Sequence, residues 1–320
     1  MVSLIIPCFN EEDNIYPFFD LCEKTLGEEE IEYIFVNDGS IDDTFHKITN
    51  LVHEQENKNI VGVNFSRNFG KEAAMLAGFS KSTGEFVCIV DADCQQNPKY
   101  ISEMLTILRE NPEYDCVACY QEKRKESKIL TFCKQVFYKS INKISNVHFE
   151  ENASDFRTFR SDVVSAILSL NEYYRFSKGI FSWVGFNTYY MPYTVEERQF
   201  GTTSWSFKKL TKYAIDGFVG FSTAPLKIAT WLGVGSALVS AIYFISVLIE
   251  KIVKGINVSG YTTIVCLILL IGGIQMILLG IIGEYLARTY IEVKRRPIYI
   301  IKSIDETAKR TQRRKKDGYR

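Results

Sequence analysis

Two stretches of this 320-residue chain, 228–249 and 255–283, contain no charged residue. A chain crossing hydrocarbon must satisfy its backbone internally, and a helix of roughly 20 apolar residues does so. Neither stretch offers water a polar face, so a pair of buried helices in a soluble core fits less well than a transmembrane hairpin. The pattern predicts helices over about 228–249 and 261–283 with a short loop between them. A hairpin returns the chain to the side it left, so the segments before and after it share one compartment.

Charge indicates which side that is. The formal net charge is zero, but residues 286–320 hold 12 Lys and Arg against 4 Asp and Glu. Lys294-Arg295-Arg296 and Arg313-Arg314-Lys315-Lys316 follow the second stretch, whereas the loop region offers only Lys251 and Lys254. Positive-inside bias then expects the tail, and the large N-terminal part with it, in the cytoplasm, in an integral protein of the cytoplasmic membrane. A basic tail beside an apolar segment suits an anionic membrane surface. A nucleic-acid binder would be basic over its whole domain, and nucleic acid is not an expected partner. The start, Met1-Val2-Ser3-Leu4-Ile5-Ile6-Pro7, has no basic n-region or cleavage site and reads as a buried strand, not a signal peptide. Residues 310–320 read as a solvated end.

The first 200 or so residues alternate short apolar runs with amphipathic stretches. Strands are predicted over 2–7, 33–36, 60–65, 86–90 and 116–119, and helices over 14–26, 43–55, 71–80 and 98–111. Asp42-Asp43 and Asn97-Pro98 mark two helix starts. Such alternation builds an α/β domain with a mostly parallel, Rossmann-like sheet covered on both faces, which binds ligands beyond the carboxyl ends of its strands. Residues 206–227 mix basic residues with Phe207, Leu210, Phe218 and Phe221 and read as interfacial amphipathic helices. The predicted division is a domain over 1–205, interfacial helices over 206–227, a hairpin over 228–283 and a basic tail over 284–320. The eight cysteines are scattered; Cys116 and Cys119, i and i+3 on a strand, point to opposite faces and read as buried thiols. With only His46, His53 and His148, a histidine-rich metal cluster is excluded.

The most informative stretch is the apolar strand that ends in Asp91-Ala92-Asp93. Two carboxylates at i and i+2 where a strand turns can reach one site. Beside an anionic diphosphate they repel it unless a divalent cation lies between, and oxygen ligands suit Mg²⁺ or Mn²⁺. Other polar clusters have plainer readings. Asn10-Glu11-Glu12-Asp13 can cap a helix, Asp38-Gly39-Ser40 can be a turn, Arg67 and Lys71 can be solvated, and Asp155 can cap a helix near Ser161.

Pro7-Cys8-Phe9-Asn10-Glu11-Glu12, Val36-Asn37-Asp38-Gly39-Ser40, Ser66-Arg67-Asn68-Phe69-Gly70-Lys71, Asp91-Ala92-Asp93 with Gln95, Ser154-Asp155-Phe156-Arg157 and the run from Glu197 to Trp205 follow one another in order. Together with the apolar pair, this series resembles the family-2 glycosyltransferases, in particular dolichyl-phosphate mannose synthases and bactoprenol glucosyltransferases. The resemblance implies a GT-A fold and inverting transfer of a hexose, UDP-glucose being the favoured donor, to a polyprenyl phosphate such as undecaprenyl phosphate. It implies Pro7, Phe9, Glu11 and Asp38 around base and ribose, Asp91 facing the nucleotide, and Arg67, Lys71 and Arg124 beside it. It puts Asp93 and Gln95 on the metal, Asp155 and Arg157 toward the acceptor, and Arg198 in a loop over the site. Asn37, Phe9, Cys94 and Gln121 depart from the residues usual at their positions, as does Thr203-Ser204-Trp205. A processive polysaccharide synthase of the same fold would need more spans and a Gln-x-x-Arg-Trp signature, which is absent. A non-catalytic nucleotide-sugar binder would not need Asp91, Asp93 and Gln95 together. Self-association stays open.

Overall fold

The structure, a computed structural model, describes residues 1–121, 142, 150, 153–196, 224–254 and 260–316. Residues 206–223 of the predicted interfacial helices, with Arg124 and Arg198, lie outside these residues, and 224–227 open a long helix.

Eight strands form one sheet in the order β7-β5-β6-β4-β1-β2-β3-β8. They are β1 Val2–Cys8, β2 Ile31–Asn37, β3 Asn59–Phe65, β4 Phe86–Ile89, β5 Cys116–Gln121, β6 Ala153–Arg160, β7 Thr188–Tyr193 and β8 Ile301–Glu306. The helices between them are α1 Ile15–Thr25, α2 Thr44–Glu54, α3 Lys71–Lys81, α4 Lys99–Glu110, α5 Ser161–Ser169 and α6 Ser177–Trp183. The first five strands and four helices fall within a few residues of their predicted positions. The predicted caps act through side chains: Asp42 Oδ1 accepts from the Thr44 N–H at 3.1 Å, and Asn97 Oδ1 from the Lys99 N–H at 3.0 Å.

Alternation along β1 sends Leu4, Ile6 and Cys8 to one face of the sheet and Ile5 to the other. Phe18, Ile48 and Met104 from α1, α2 and α4 cover the first face, and Ala74, Val163 and Ile180 from α3, α5 and α6 the second. Cys116 and Cys119 separate onto opposite faces as their spacing requires, and both are buried free thiols.

Strands β1 to β3 step one way across the sheet, and β4 returns to the far side of β1, parallel to it. The carboxyl ends of β1 and β4 therefore flank a topological switch point, where a cleft forms in open α/β sheets. Strand β6 runs antiparallel to β4, with Ile89 opposite Arg157. Its N-terminal end lies beside the carboxyl end of β4.

Two long helices, α7 Ala224–Lys254 and α8 Tyr261–Val293, contain the predicted spans 228–249 and 261–283. Both are long and apolar enough to cross a membrane, and protein does not cover their apolar surface: Trp231 is 74% exposed and Met276 70%. Uncovered apolar area of this extent marks membrane association. Helix α8 runs ten residues beyond the predicted 283, because Glu284 and Arg288 pair one turn apart on its surface.

The tail departs from expectation. Residues 284–320 are not a separate appendage, because β8 joins the sheet antiparallel to β3, with Val63 opposite Ile304. Helix α9, Ala308–Lys316, follows. Arg310, expected in a solvated end, is 2% exposed and pairs with the buried Glu32. Glu32 also accepts from the Ser3 hydroxyl and from the Thr83 N–H and hydroxyl, at 2.9 and 2.6 Å for Thr83. A buried carboxylate demands such partners, and no local pattern announces one 278 residues away.

Breaking this pair should be costly. Arg310→Ala should destabilise the fold by about 3 kcal/mol, lowering the melting temperature by roughly 6–12 °C. Combining it with Glu32→Gln should recover part of the loss in a thermal melt.

Candidate active site

The end of β4 organises the site. The Val90 N–H still donates to Ile5 O at 3.0 Å, after which the chain leaves the sheet at Asp91. Gln96 holds that residue twice: its Oε1 accepts from the Asp91 N–H at 2.9 Å, and its Nε2 donates to Asp91 Oδ2 at 3.1 Å. Cys94, at φ 58°, turns the loop between Asp93 and Gln95, and the Gln95 N–H donates to Asp93 Oδ1 at 3.2 Å. Glu196, beyond β7, clips to this loop. Its N–H donates to Gln95 O at 3.0 Å, and its Oε1 accepts from Asn97 Nδ2 at 2.6 Å.

Lys71, the first residue of α3, bridges two strands. Its Nζ lies 2.6 Å from Asp91 Oδ1 and 3.7 Å from Asp155 Oδ2. Asp155 arrives on β6, two residues before Arg157 in the register that sets Arg157 against Ile89, and so stands level with Asp91. It caps no helix, and Lys71, although its side chain is 41% exposed, is ion-paired. Burial disfavours both charged forms, but each group's partners outweigh it. Asp91 and Asp155 hold the Lys71 ammonium above the ordinary lysine range, while Lys71, Lys178 and Arg157 hold the Asp155 carboxyl below the ordinary aspartate value. Asp155 is thus a charged carboxylate at neutral pH.

The neighbouring Glu72 behaves oppositely. Burial and the Asp155 charge push it up to about 7, although the Ser177 N–H and hydroxyl both donate to it. Neither Glu72 nor Gln96 nor Glu196 stands out in the sequence. Only the Glu and Gln side chains adjoining Lys71 and Gln95 could have hinted at the first two.

The structure places the other expected residues as follows. Pro7, Phe9 and Glu11 line the carboxyl end of β1 and the loop after it; Phe9 is 46% exposed, an open ring face, and the Glu11 N–H donates to Thr44 Oγ1 at 2.8 Å. Asp38 does not face the cleft. It is 3% exposed, and its two oxygens accept from the Phe69 N–H at 2.6 Å and the Gly70 N–H at 2.9 Å, so it braces the loop before α3. Gly39, at φ 65°, makes this possible, since a Cβ there would come within 2.3 Å of the Arg67 backbone. Arg67 is exposed, with its guanidinium carbon 3.9 Å from the centre of the Phe69 ring. Arg157, expected to grip the acceptor, is 2% exposed. Its Nε donates to Ser154 O at 2.9 Å and its guanidinium stacks over Phe181 at 5.1 Å, so it acts on the site through the charge of Asp155. Among the described residues, no group of three or more His, Cys, Asp or Glu is arranged to hold a metal ion.

Comparison with known proteins fits this arrangement of motifs. Residues 3–168 match the description Glycosyl transferase family 2, and residues 224–289 match the GtrB C-terminal hairpin. The chain belongs to glycosyl transferase family 2. It is 39% identical over 304 residues to the putative glycosyltransferase CsbB of Bacillus subtilis, covering 94% of this chain and 91% of that protein. It is 38% identical to the prophage bactoprenol glucosyl transferase homolog of Escherichia coli, over 95% of this chain and 99% of that one. To the bactoprenol glucosyl transferase of Shigella phage SfII it is 37% identical, over 94% and 97%. The chain is a glycosyltransferase with an α/β catalytic domain, and its two apolar helices match the hairpin described for its relatives.

Lys71 and Gln96 position Asp91 from opposite sides, so each should be separable from folding. Lys71→Met removes the strongest of the cations that keep Asp155 charged. The acid limb of the kcat/KM profile should then move up by about one pH unit. Gln96→Ala should lower kcat/KM by about 10- to 100-fold with a near-native melting temperature.

Proposed function

We propose that this glycosyltransferase moves a hexose, with UDP-glucose the favoured donor, onto a polyprenyl phosphate at the cytoplasmic membrane face, with inversion. The observation that carries the proposal is the Lys71–Asp91–Asp155 bridge at the β1/β4 switch point, in a chain that also bears an uncovered apolar hairpin. The hairpin supports a membrane-bound acceptor, and relatives named bactoprenol glucosyl transferases over nearly the whole chain support the same acceptor class. Positive-inside bias supports the cytoplasmic side.

Asp93 and Gln95, two residues apart on a turned loop, fit Mg²⁺ or Mn²⁺ as hard oxygen donors. The Gln95 amide nitrogen donates to Glu196 O at 3.3 Å, which turns its amide oxygen the other way. Two protein ligands suit an ion whose shell the donor diphosphate completes. When bound, such an ion neutralises charge on the leaving diphosphate.

The chain's own residues do the rest. Phe9 presents a ring face for the base, and Glu11 a carboxylate for the ribose. Lys71 spreads positive charge along the path of the diphosphate. A lipid phosphate oxygen attacks the anomeric carbon, the bond from that carbon to the diphosphate oxygen breaks, and the electron pair leaves with the nucleoside diphosphate. The acceptor phosphate has a second pKa near about 6 and is already nucleophilic at neutral pH, so no proton need be removed. Asp155, held in its charged form, is a poor proton acceptor; it orients the acceptor and disfavours misplaced anions.

The test is transfer of radiolabelled sugar from a panel of nucleotide-sugars to undecaprenyl phosphate by the detergent-solubilised protein. Label should enter the lipid phase with one donor and disappear with EDTA or Asp93→Ala. Tight nucleotide binding without lipid label from any donor would refute the acceptor.

A further inference from the structure

A cleft of about 370 Å³ lies where the catalytic domain meets the last turns of α8. Its charged lining consists of three arginines and one carboxylate: Arg67, Arg175, Arg288 and Glu72. The arginines come from three separate places, the loop after β3, the segment between α5 and α6, and α8. Each is pinned locally. Arg175 Nη1 donates to Leu170 O at 2.8 Å, and Arg67 Nη1 to Asn68 O at 2.9 Å. Arg288 Nε donates to Glu284 Oε1 at 3.0 Å, and its guanidinium lies 5.0 Å from the centre of the Tyr174 ring. Three guanidinium groups lining one cleft make it a place where an anion is favoured. Burial pulls the Arg175 pKa down despite Glu72 and Glu172, which marks a cation whose charge its carboxylate neighbours do not fully offset.

Position identifies the anion. Arg288 follows the end of the uncharged stretch at Gly283 by five residues, about 7 Å along a helix, which is headgroup depth if the stretch spans hydrocarbon. Tyr174 lines the cleft and Tyr285 and Tyr290 flank Arg288 on α8, the aromatic residues favoured at that depth. The Tyr173 N–H donates to Glu292 Oε1 at 2.8 Å and ties the catalytic domain to the same helix. On its inner side the cleft reaches the first turn of α3, where Glu72 adjoins Lys71, and the Asp155 charge is felt at Glu72. One wall is therefore the apolar helix, and another carries Glu72, the neighbour in sequence of the Lys71 that bridges Asp91 and Asp155.

We propose that this cleft seats the phosphate headgroup of the polyprenyl acceptor, gripped by Arg175 and Arg288, with the exposed Arg67 on the solvent side. The assignment rests on the acceptor class proposed above. It transfers the grip expected of the buried Arg157 to residues that line an open cleft.

The experiment measures binding and turnover separately, on the full chain in detergent micelles. Undecaprenyl phosphate, undecaprenol, inorganic phosphate and UDP-glucose are titrated into wild type, Arg175→Gln, Arg288→Gln and Arg288→Lys, with melting temperatures recorded. Each Gln variant should weaken undecaprenyl phosphate binding about tenfold or more while undecaprenol and UDP-glucose bind as before, and Arg288→Lys should fall between. Because Arg175 and Arg288 lie on different elements, misfolding of one variant leaves the other to decide. Unchanged lipid phosphate binding in a folded Gln variant would overturn the seat, even if wild type transfers sugar to the lipid. Loss of UDP-glucose binding with lipid binding intact would assign the cleft to the donor and overturn it too. Inorganic phosphate binding as tightly as the lipid would mark a free-phosphate site and overturn the headgroup assignment. Arginine-dependent lipid phosphate binding by a wild type that transfers no sugar would uphold the seat and refute the transfer reaction.

Discussion

Asp91 and Asp155 reach the same edge of the sheet from strands that run in opposite directions, and two carboxylates that close stay charged only with a cation between them. Lys71 supplies it, at 2.6 and 3.7 Å. The bridge fixes where α3 must begin and so the course of the loop before it. Asp38 holds that loop through two backbone N–H groups, and Gly39 lets the β2 loop approach the Arg67 backbone closely enough for the contact. The expected ligand-facing role of Asp38 gives way to this brace because a buried carboxylate takes whichever donors surround it.

The same bridge shapes the chemistry. A carboxylate whose pKa is held down keeps its charge, which is the basis of the orienting role proposed for Asp155. One residue from Lys71, Glu72 feels burial and the Asp155 charge and is pushed up to about 7. Adjacent positions at one helix start thus hold charges of opposite tendency, because successive side chains on a helix point in different directions.

The apolar hairpin is tied to the catalytic domain after it as well as before. Beyond α8 the chain returns to the sheet as β8, and Arg310 on α9 closes onto the buried Glu32. With the Glu292–Tyr173 contact, this holds the end of α8 against the segment that carries Arg175. A site that must meet a substrate confined to a bilayer needs a fixed height above it, and such anchoring provides one. The basic tail is accordingly a structural strand and helix as well as a source of charge.

The sequence by itself determined the alternating strands and helices, the apolar hairpin and the aspartates at the end of β4, since these are written in local periodicity and in residue type at strand ends. Cys116 and Cys119 on opposite faces follow from period two alone. It also carried Asp155 as a motif, but not its position opposite Asp91, which depends on the antiparallel insertion of β6 beside β4. Tertiary structure alone decided that Lys71 bridges both aspartates, that Arg157 is buried, that Gln96 and Glu196 clamp the β4 loop, and that Arg310 is buried against Glu32. Each of these joins residues far apart in the chain or depends on which way a side chain turns. Such contacts follow from the register and packing of a whole sheet, which no short window of sequence contains.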